Sequence, residues 1–511
     1  MKIGEVLNAV YDVDVGWRPA SGGIKPVHVA NGVVRAHTRR VYKTKRIVDV
    51  IIPYKKKKDP VPDPNKTLES LLQRDPTDAL EAFREQPLVF ESFRRYLRGL
   101  LEADKAVFPS ADMSSLTLTC RELASRDNND RRLGEFGAAL LRLSDGDGAT
   151  TLGQVFSDSL IWNADQADPL SVLARPLVEL EGRAPPESHR DSMVKALGKK
   201  HQKQFCQEVM KAMADLATHE VRQGNRLRTL KRSIQLVCLA THAHAQALAA
   251  GGDLARRSPA LVCLAEPPES PLARASNDSL NRIHSAFERW LGERLADRLR
   301  YHKPLHGEER LDSLSLDSRS VKAQLKKIKN SSGSTPEEGA MDIRLQTFKE
   351  AKRQILKGAD GGDNPSLVWG RALTMCYLRE YESGGPRSFL QGLARRAGLL
   401  YPHQRKSQVT RIRPSASVWD VLVRACVSCT EQHITLDEFL ERLWFRFGLV
   451  VGGRQRGKES DADLLARHGV ELEQDILVTN TAELVRMLQG MGLARPYADN
   501  VTLIGDVQDA S

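Results

Sequence analysis

A mostly α fold follows from three features of the sequence. From Thr67 onward, apolar residues recur at three- and four-residue steps, the period of an amphipathic helix. Stretches rich in β-branched residues are confined to the first fifty-odd positions and to a short run near the end. Between the helical stretches lie clusters of Gly, Pro, Ser and Asp, which break helices without building strands. The 511 residues suffice for about two to four domains. Hydrophobic residues make up 41% and charged residues 28%, enough to bury cores, although aromatics are sparse at 5%.

Residues 1–54 form a basic, β-containing region. "KPVHVANGVVRAHTRRVYKTKRIVDVIIPY" predicts short strands turning at Asn31-Gly32, a hairpin-type pair. Its cations Arg35, Arg39, Arg40 and Lys43 surround Tyr42 and make a candidate nucleic-acid-binding arm. Residues 55–66, "KKKKDPVPDPNK", read as a linker, because alternating prolines suit neither helix nor central strand.

A helical body spans 67–330. Phe90, Phe93, Leu97, Leu100 and Leu101 make one apolar stripe, and Asp75-Pro76 resembles a helix start. Helical spacing runs from about Met193 to Ala250 and stops at Gly251-Gly252. A further helix covers roughly Ser279 to Arg300, with Ile283, Phe287, Trp290, Leu291 and Leu295 on one side. "NSSGSTPEEGA" (330–340) has linker composition and precedes a helical segment over 341–414.

The region 415–511 predicts a winged-helix-like unit. Thr435 to Glu438 has the spacing of a capping box, with Ile434 and Phe439 placed for a hydrophobic staple. Phe439, Leu440, Leu443, Trp444 and Phe447 line the helix that follows. "DADLLARHGV" gives a second helix, and cap-like spacing from Asn480 to Glu483 opens a third. "GLARPYADNVTLIG" then reads as a hairpin. Three helices followed by a hairpin is the winged-helix order, in which the third helix, here with Arg486, would enter a major groove.

Gly452 to Lys458 fits the phosphate-loop spacing G-x-x-x-x-G-K. Such a loop needs Ser or Thr after the Lys to bind magnesium, and Glu459 stands there, where its charge would repel phosphate. The motif follows an amphipathic helix rather than a buried parallel strand, so the expectation is an exposed turn. Arg454, Arg456 and Lys458 become candidate phosphate contacts.

Other chemistry is thin. Cys426-Val427-Ser428-Cys429 is half of a zinc pattern, with no second pair nearby. His242 and His244 lie two apart, which on a helix faces them in different directions. His219-Glu220 lacks the second histidine of H-E-x-x-H. No catalytic residue, metal ligand or cofactor is nominated.

The net charge is +11 and the pI near 9.3, which favours an anionic partner. Besides the N-terminal arm, Arg222, Arg226, Arg228, Lys231 and Arg232 cluster in one helical stretch. Seven scattered cysteines suit a reducing compartment, and no apolar run is long enough to span a bilayer. The expectation is a cytoplasmic, non-catalytic DNA-binding or adaptor subunit of a bacterial nucleic-acid-processing assembly, in a phage-defence or mobile-element setting. Duplex DNA and other protein subunits are its expected partners, with no membrane. Two alternatives are a protein-interaction scaffold without nucleic-acid contact and a divergent enzyme acting on nucleic acid.

Overall fold

The computed structural model describes residues 10–19, 24–38, 132–143, 151–160, 197–223, 226–264, 269–301, 318–327, 337–356, 365–380, 385–402, 409–454, 460–497 and 501–506, together with 41–42, 183–184, 267 and parts of 65–95. Among these, helices dominate and the strands are two to four residues long. No helix among the described residues is long and apolar enough to cross a membrane.

The first α-helix corrects the expected N-terminal strands. Pro26–Thr38 is a helix, α1, with Asn31 and Gly32 in its middle. Proline suits the first helical position, where its missing N–H is no loss. Val27, Ala30, Val33 and Val34 are fully buried, at spacings that put them along one side. That side packs on α2 (Leu133–Leu141) and on helices further along, so burial outweighs the weak helix propensity of valine. The strand content nearby is β1 (Val41–Tyr42), paired antiparallel with β2 (Arg183–Ala184). The expected stripe at Phe93 to Leu101 and the linker at 55–66 lie, apart from single positions, outside the described residues.

The helical body matches its periodicity better. After α3 (Leu152–Leu160), the helical region expected between 193 and 250 is divided into two helices, α4 (Lys203–Gln223) and α5 (Arg226–Ala249). Next comes β3 (Ala260–Leu261), then α6 (Pro271–Tyr301), whose first turn is capped by Ser270 Oγ accepting from the Ala273 amide at 3.1 Å. Helices α7 (Ser318–Lys327), α8 (Glu338–Leu356), α9 (Pro365–Glu380) and α10 (Pro386–Arg396) follow. The α6–α9 crossing is close because two glycines meet. A Cβ on Gly370 would lie 2.5 Å from the Gly292 carbonyl oxygen. Trp17, from the N-terminal turn, is fully buried between Phe287 of α6 and Phe389 of α10, with ring centroids 5.8 and 5.4 Å away. Its indole N–H donates to His244 Nδ1 on α5 at 3.1 Å.

The remainder interleaves with this body. β4 (Leu400–Tyr401) and β5 (Arg411–Ile412) pair antiparallel. Then come α11 (Ala416–Arg424), β6 (His433–Thr435), α12 (Leu436–Phe447), β7 (Leu449–Val450), α13 (Asp461–Arg467), α14 (Gln474–Gly490), β8 (Ala494–Pro496) and β9 (Thr502–Gly505). β9 lies between β6 and β8, antiparallel to both, with Ile434 opposite Ile504 and Arg495 opposite Leu503. Helices α11 and α12 pack on α4 and α5, and one apolar cluster includes residues from Val10 to Ile504.

Two expected helix starts take another form. Thr435 Oγ does accept from the Glu438 amide at 3.3 Å, but the Glu438 carboxylate accepts from Arg442 at 2.6 Å instead of closing the box. Asn480 is not a cap, because α14 begins six residues earlier. Its buried side chain donates to the carbonyl oxygens of Val262 and Val451, both at 2.8 Å, and accepts from the Leu264 amide at 2.9 Å.

Candidate nucleic-acid interface

Several cations nominated from the sequence are committed to the protein itself. Arg35 is 6% exposed on α1. Arg232 is buried and bridges two helices, donating through Nη1 to Glu220 at 2.9 Å and through Nε to Asp420 at 2.8 Å. Asp420 also accepts from Arg424 at 3.0 Å, and Arg424 continues to Asp506 beyond β9 at 2.6 Å. The neighbouring His219 and the Arg424 guanidinium hold the Asp506 carboxyl well below the usual carboxylate range, against the opposing effect of its burial. His219 donates to the Val427 carbonyl at 2.7 Å, so its Nδ1 accepts from Arg424 at 3.1 Å. The histidine that suggested a metal motif is a core linker between α4 and α11.

The described start of the glycine-rich loop, Gly452 to Arg454, is likewise held by the chain itself. It is preceded by β7, a buried strand paired parallel with β3, so the expectation that no such strand precedes it is corrected. Asp461, at the start of α13, accepts from the amides of Gly452 and Arg454, both at 3.2 Å, and from Arg454 Nε at 3.0 Å. A carboxylate of the chain thus occupies two of the backbone amides that a phosphate loop would turn to its ligand. Burial pushes the Asp461 carboxyl above its ordinary value, against the pull of Arg454. Arg454 is 7% exposed, so it contacts Asp461 rather than solvent. Ser460 makes a full capping box with Asp463.

The other nominated residues divide two ways. Arg222 and Arg228 are exposed around the α4–α5 turn, and Lys231 is half-buried. Arg486 is exposed on α14 beside Glu483, its ion-pair partner at 2.5 Å. Arg39, Arg40, Lys43, Arg456 and Lys458 lie outside the described residues, as does the side chain of Arg226. Cys426 is fully buried, its thiol pushed up to about 12 by burial, and Cys429 is half-buried. No group of three or more potential metal ligands assembles among the described residues.

A cationic groove lies elsewhere, on the outer face of α6. Arg274, Arg282 and Arg289 are exposed there, at steps of eight and seven residues. Such steps keep side chains near one face and spread the three guanidiniums over roughly 22 Å of helix. Arg282 and Arg289 line a groove of about 420 Å³ with His468 and the neutral donors Ser258, Asn281 and Ser285; Asp278 adds a carboxylate. Arg282 donates to the Gly469 carbonyl at 3.0 Å, which fixes its direction. Arg274 and Arg289 have no ion-pair partner among the described residues. Burying Ile283, Phe287, Leu291 and Leu295 turns this face outward. The signal was present in the sequence as arginines opposite that apolar stripe, but denser basic runs drew the nomination.

Comparison with family models, curated proteins and solved structures finds no match to this chain.

Proposed function

We propose that this chain is a non-catalytic DNA-binding or adaptor subunit of a nucleic-acid-processing assembly, with phosphates held in the α6 groove. The observation that carries this reading is the groove's set of donors. Arg282, Arg289 and His468 stand beside neutral donors, and Arg274 extends the same face. Guanidiniums, hydroxyls and amides are the groups that meet nucleic-acid backbones. The order β6–α12–β7–α13–α14–β8–β9, with β9 central in its sheet and β7 paired outside it with β3, supports a winged-helix-like reading of the C-terminal region.

The helix that would enter a groove of DNA is a poor reader. Asp475 and Glu483 accompany Arg486 on α14, so backbone contact through α6 has better electrostatic support. A second reading draws on the same region. Val478, Tyr497 and Val501 are 47%, 49% and 43% exposed on α14 and around the terminal hairpin, favouring a partner protein there. The two readings are compatible in an adaptor.

The test is a salt titration of the full chain on labelled duplex and single-stranded DNA. Each phosphate neutralised contributes about −0.9 to the slope of log K against log salt for duplex. The Arg274→Ala/Arg282→Ala/Arg289→Ala variant should lower affinity and make the slope shallower by about 2 to 3. Arg486→Ala should change it little. Equal slopes in wild type and triple variant would remove the groove from the interface, and negligible binding at low salt would leave the scaffold reading.

A further inference from the structure

Arg257 is 1% exposed, and its Nε, Nη1 and Nη2 find no acceptor among the described residues. Its guanidinium lies over the Trp444 ring, 4.5 Å from the centroid. The aromatic face stabilises a cation but accepts none of its in-plane N–H groups. Burial lowers the guanidinium to about 9, so it remains cationic at neutral pH. The carboxylate whose field reaches it, Glu208, is held by Lys211 at 2.6 Å. Beside it, Gln246 Oε1 is buried and has no donor among the described residues. Both groups border Gly448: a Cβ there would lie 1.8 Å from Gln246 Oε1 and 3.3 Å from Arg257 Nε.

We propose that Arg257 and Gln246 form a buried site for a small inorganic anion of halide size, walled by Trp444 and Gly448. An uncompensated buried cation is strongly unfavourable. Water would satisfy the N–H groups and leave that charge; an anion satisfies both. Enclosure sets the size, since Arg257, Gln246 and Trp444 are all at least 97% buried and leave no path for a ligand with a solvated tail. The Gln246 carboxamide supplies further donors. Its Nε2 lies 3.2 Å from His242 Nδ1, and a carboxamide presents either its oxygen or its NH₂ to a neighbour by a half-turn. Turned by half a rotation, its oxygen accepts from His242 Nδ1–H and its NH₂ faces the ion alongside Arg257.

The test uses Trp444 as reporter. At 3% exposure its ring is shielded from collisional quenching, whereas bromide bound at Arg257 would sit against it. Bromide is titrated into the full chain at fixed ionic strength, with gluconate, too large for the site, as the balancing anion. The expected result is a saturable loss of tryptophan emission in wild type that is absent from Trp444→Phe and Arg257→Met. Quenching that is linear and alike in wild type and Trp444→Phe would overturn the proposal. Since Arg257→Met could fail to fold, the wild-type melting temperature is read in the same series. It should rise with bromide and level off, and a temperature indifferent to bromide would also overturn the site.

Discussion

The side-chain amide of Asn480 on α14 donates to the carbonyl oxygen of Val451 over 2.8 Å, fastening that helix to the end of β7. Its other two hydrogen bonds reach Val262 and Leu264, so a single residue seals the short parallel pairing of β3 and β7. Asn480→Ala should cost on the order of 3 kcal/mol, because it strands buried backbone groups. Urea unfolding reads this as a lower midpoint at unchanged slope. A loss under about 1 kcal/mol would show that these backbone groups find other partners.

Arg232 and Glu220 should be strongly coupled. The Glu220 side chain is fully buried, held by Arg232 at 2.9 Å and by the Thr229 hydroxyl at 2.6 Å. Removing the guanidinium in Arg232→Met leaves a buried carboxylate and should cost about 3 to 5 kcal/mol. Adding Glu220→Gln removes that charge and should restore part of the loss. Strict additivity in the double-mutant cycle would contradict the pairing.

Acid sensitivity should begin above the carboxylate range. Burial lowers His242 to about 4, and burial with the nearby charge of His201 lowers His244 to about 3. Both stay neutral in the folded chain, while the unfolded chain protonates them near 6.5. The unfolded state therefore binds more protons below that value, and stability falls as pH drops from about 6.5 toward 4. Each histidine contributes up to about 1.4 kcal/mol per pH unit in that window. His244→Gln keeps a group able to meet Trp17 and Gln202 but cannot titrate. Denaturant midpoints between pH 6 and 5 should show a shallower pH slope in this variant; an unchanged slope would rule His244 out as a source.

Gly448 should resist substitution more than an ordinary helix end. It ends α12 with φ +70°, where a side chain strains the backbone, and a Cβ would overlap Gln246. Gly448→Ala should cost at least 1 to 2 kcal/mol, roughly what a left-handed non-glycine residue stores. A thermal scan matching wild type would show that Gln246 moves aside freely.

The helices legible in the sequence were those with a long one-sided period. Phe287, Trp290 and Leu291 on α6, and Phe439, Leu443 and Trp444 on α12, face the core as their spacing implied. The N-terminal reading failed because local β propensity was weighed without knowing that α2 and α5 would cover those valines. The charged sites were harder still. Nothing local to Arg232 reveals an acid 188 positions away, and Arg454 gave no sign that Asp461 would take up its loop. Cap-like spacing at Asn480 was misleading for the same reason: two of its three partners are 216 and 218 positions back, beside β3.

The parallel pairing of Ala260–Leu261 with Leu449–Val450 carries a consequence for biosynthesis. A ribosome adding about 5–20 residues per second makes the second strand roughly ten seconds or more after the first. Throughout that interval Leu261 and Cys263, both fully buried in the finished molecule, lack the residues that cover them. The nascent chain must carry that apolar edge unprotected until α12, β7 and α14 emerge. Stalled or truncated products ending before this point should therefore be the species that chaperones and proteases engage.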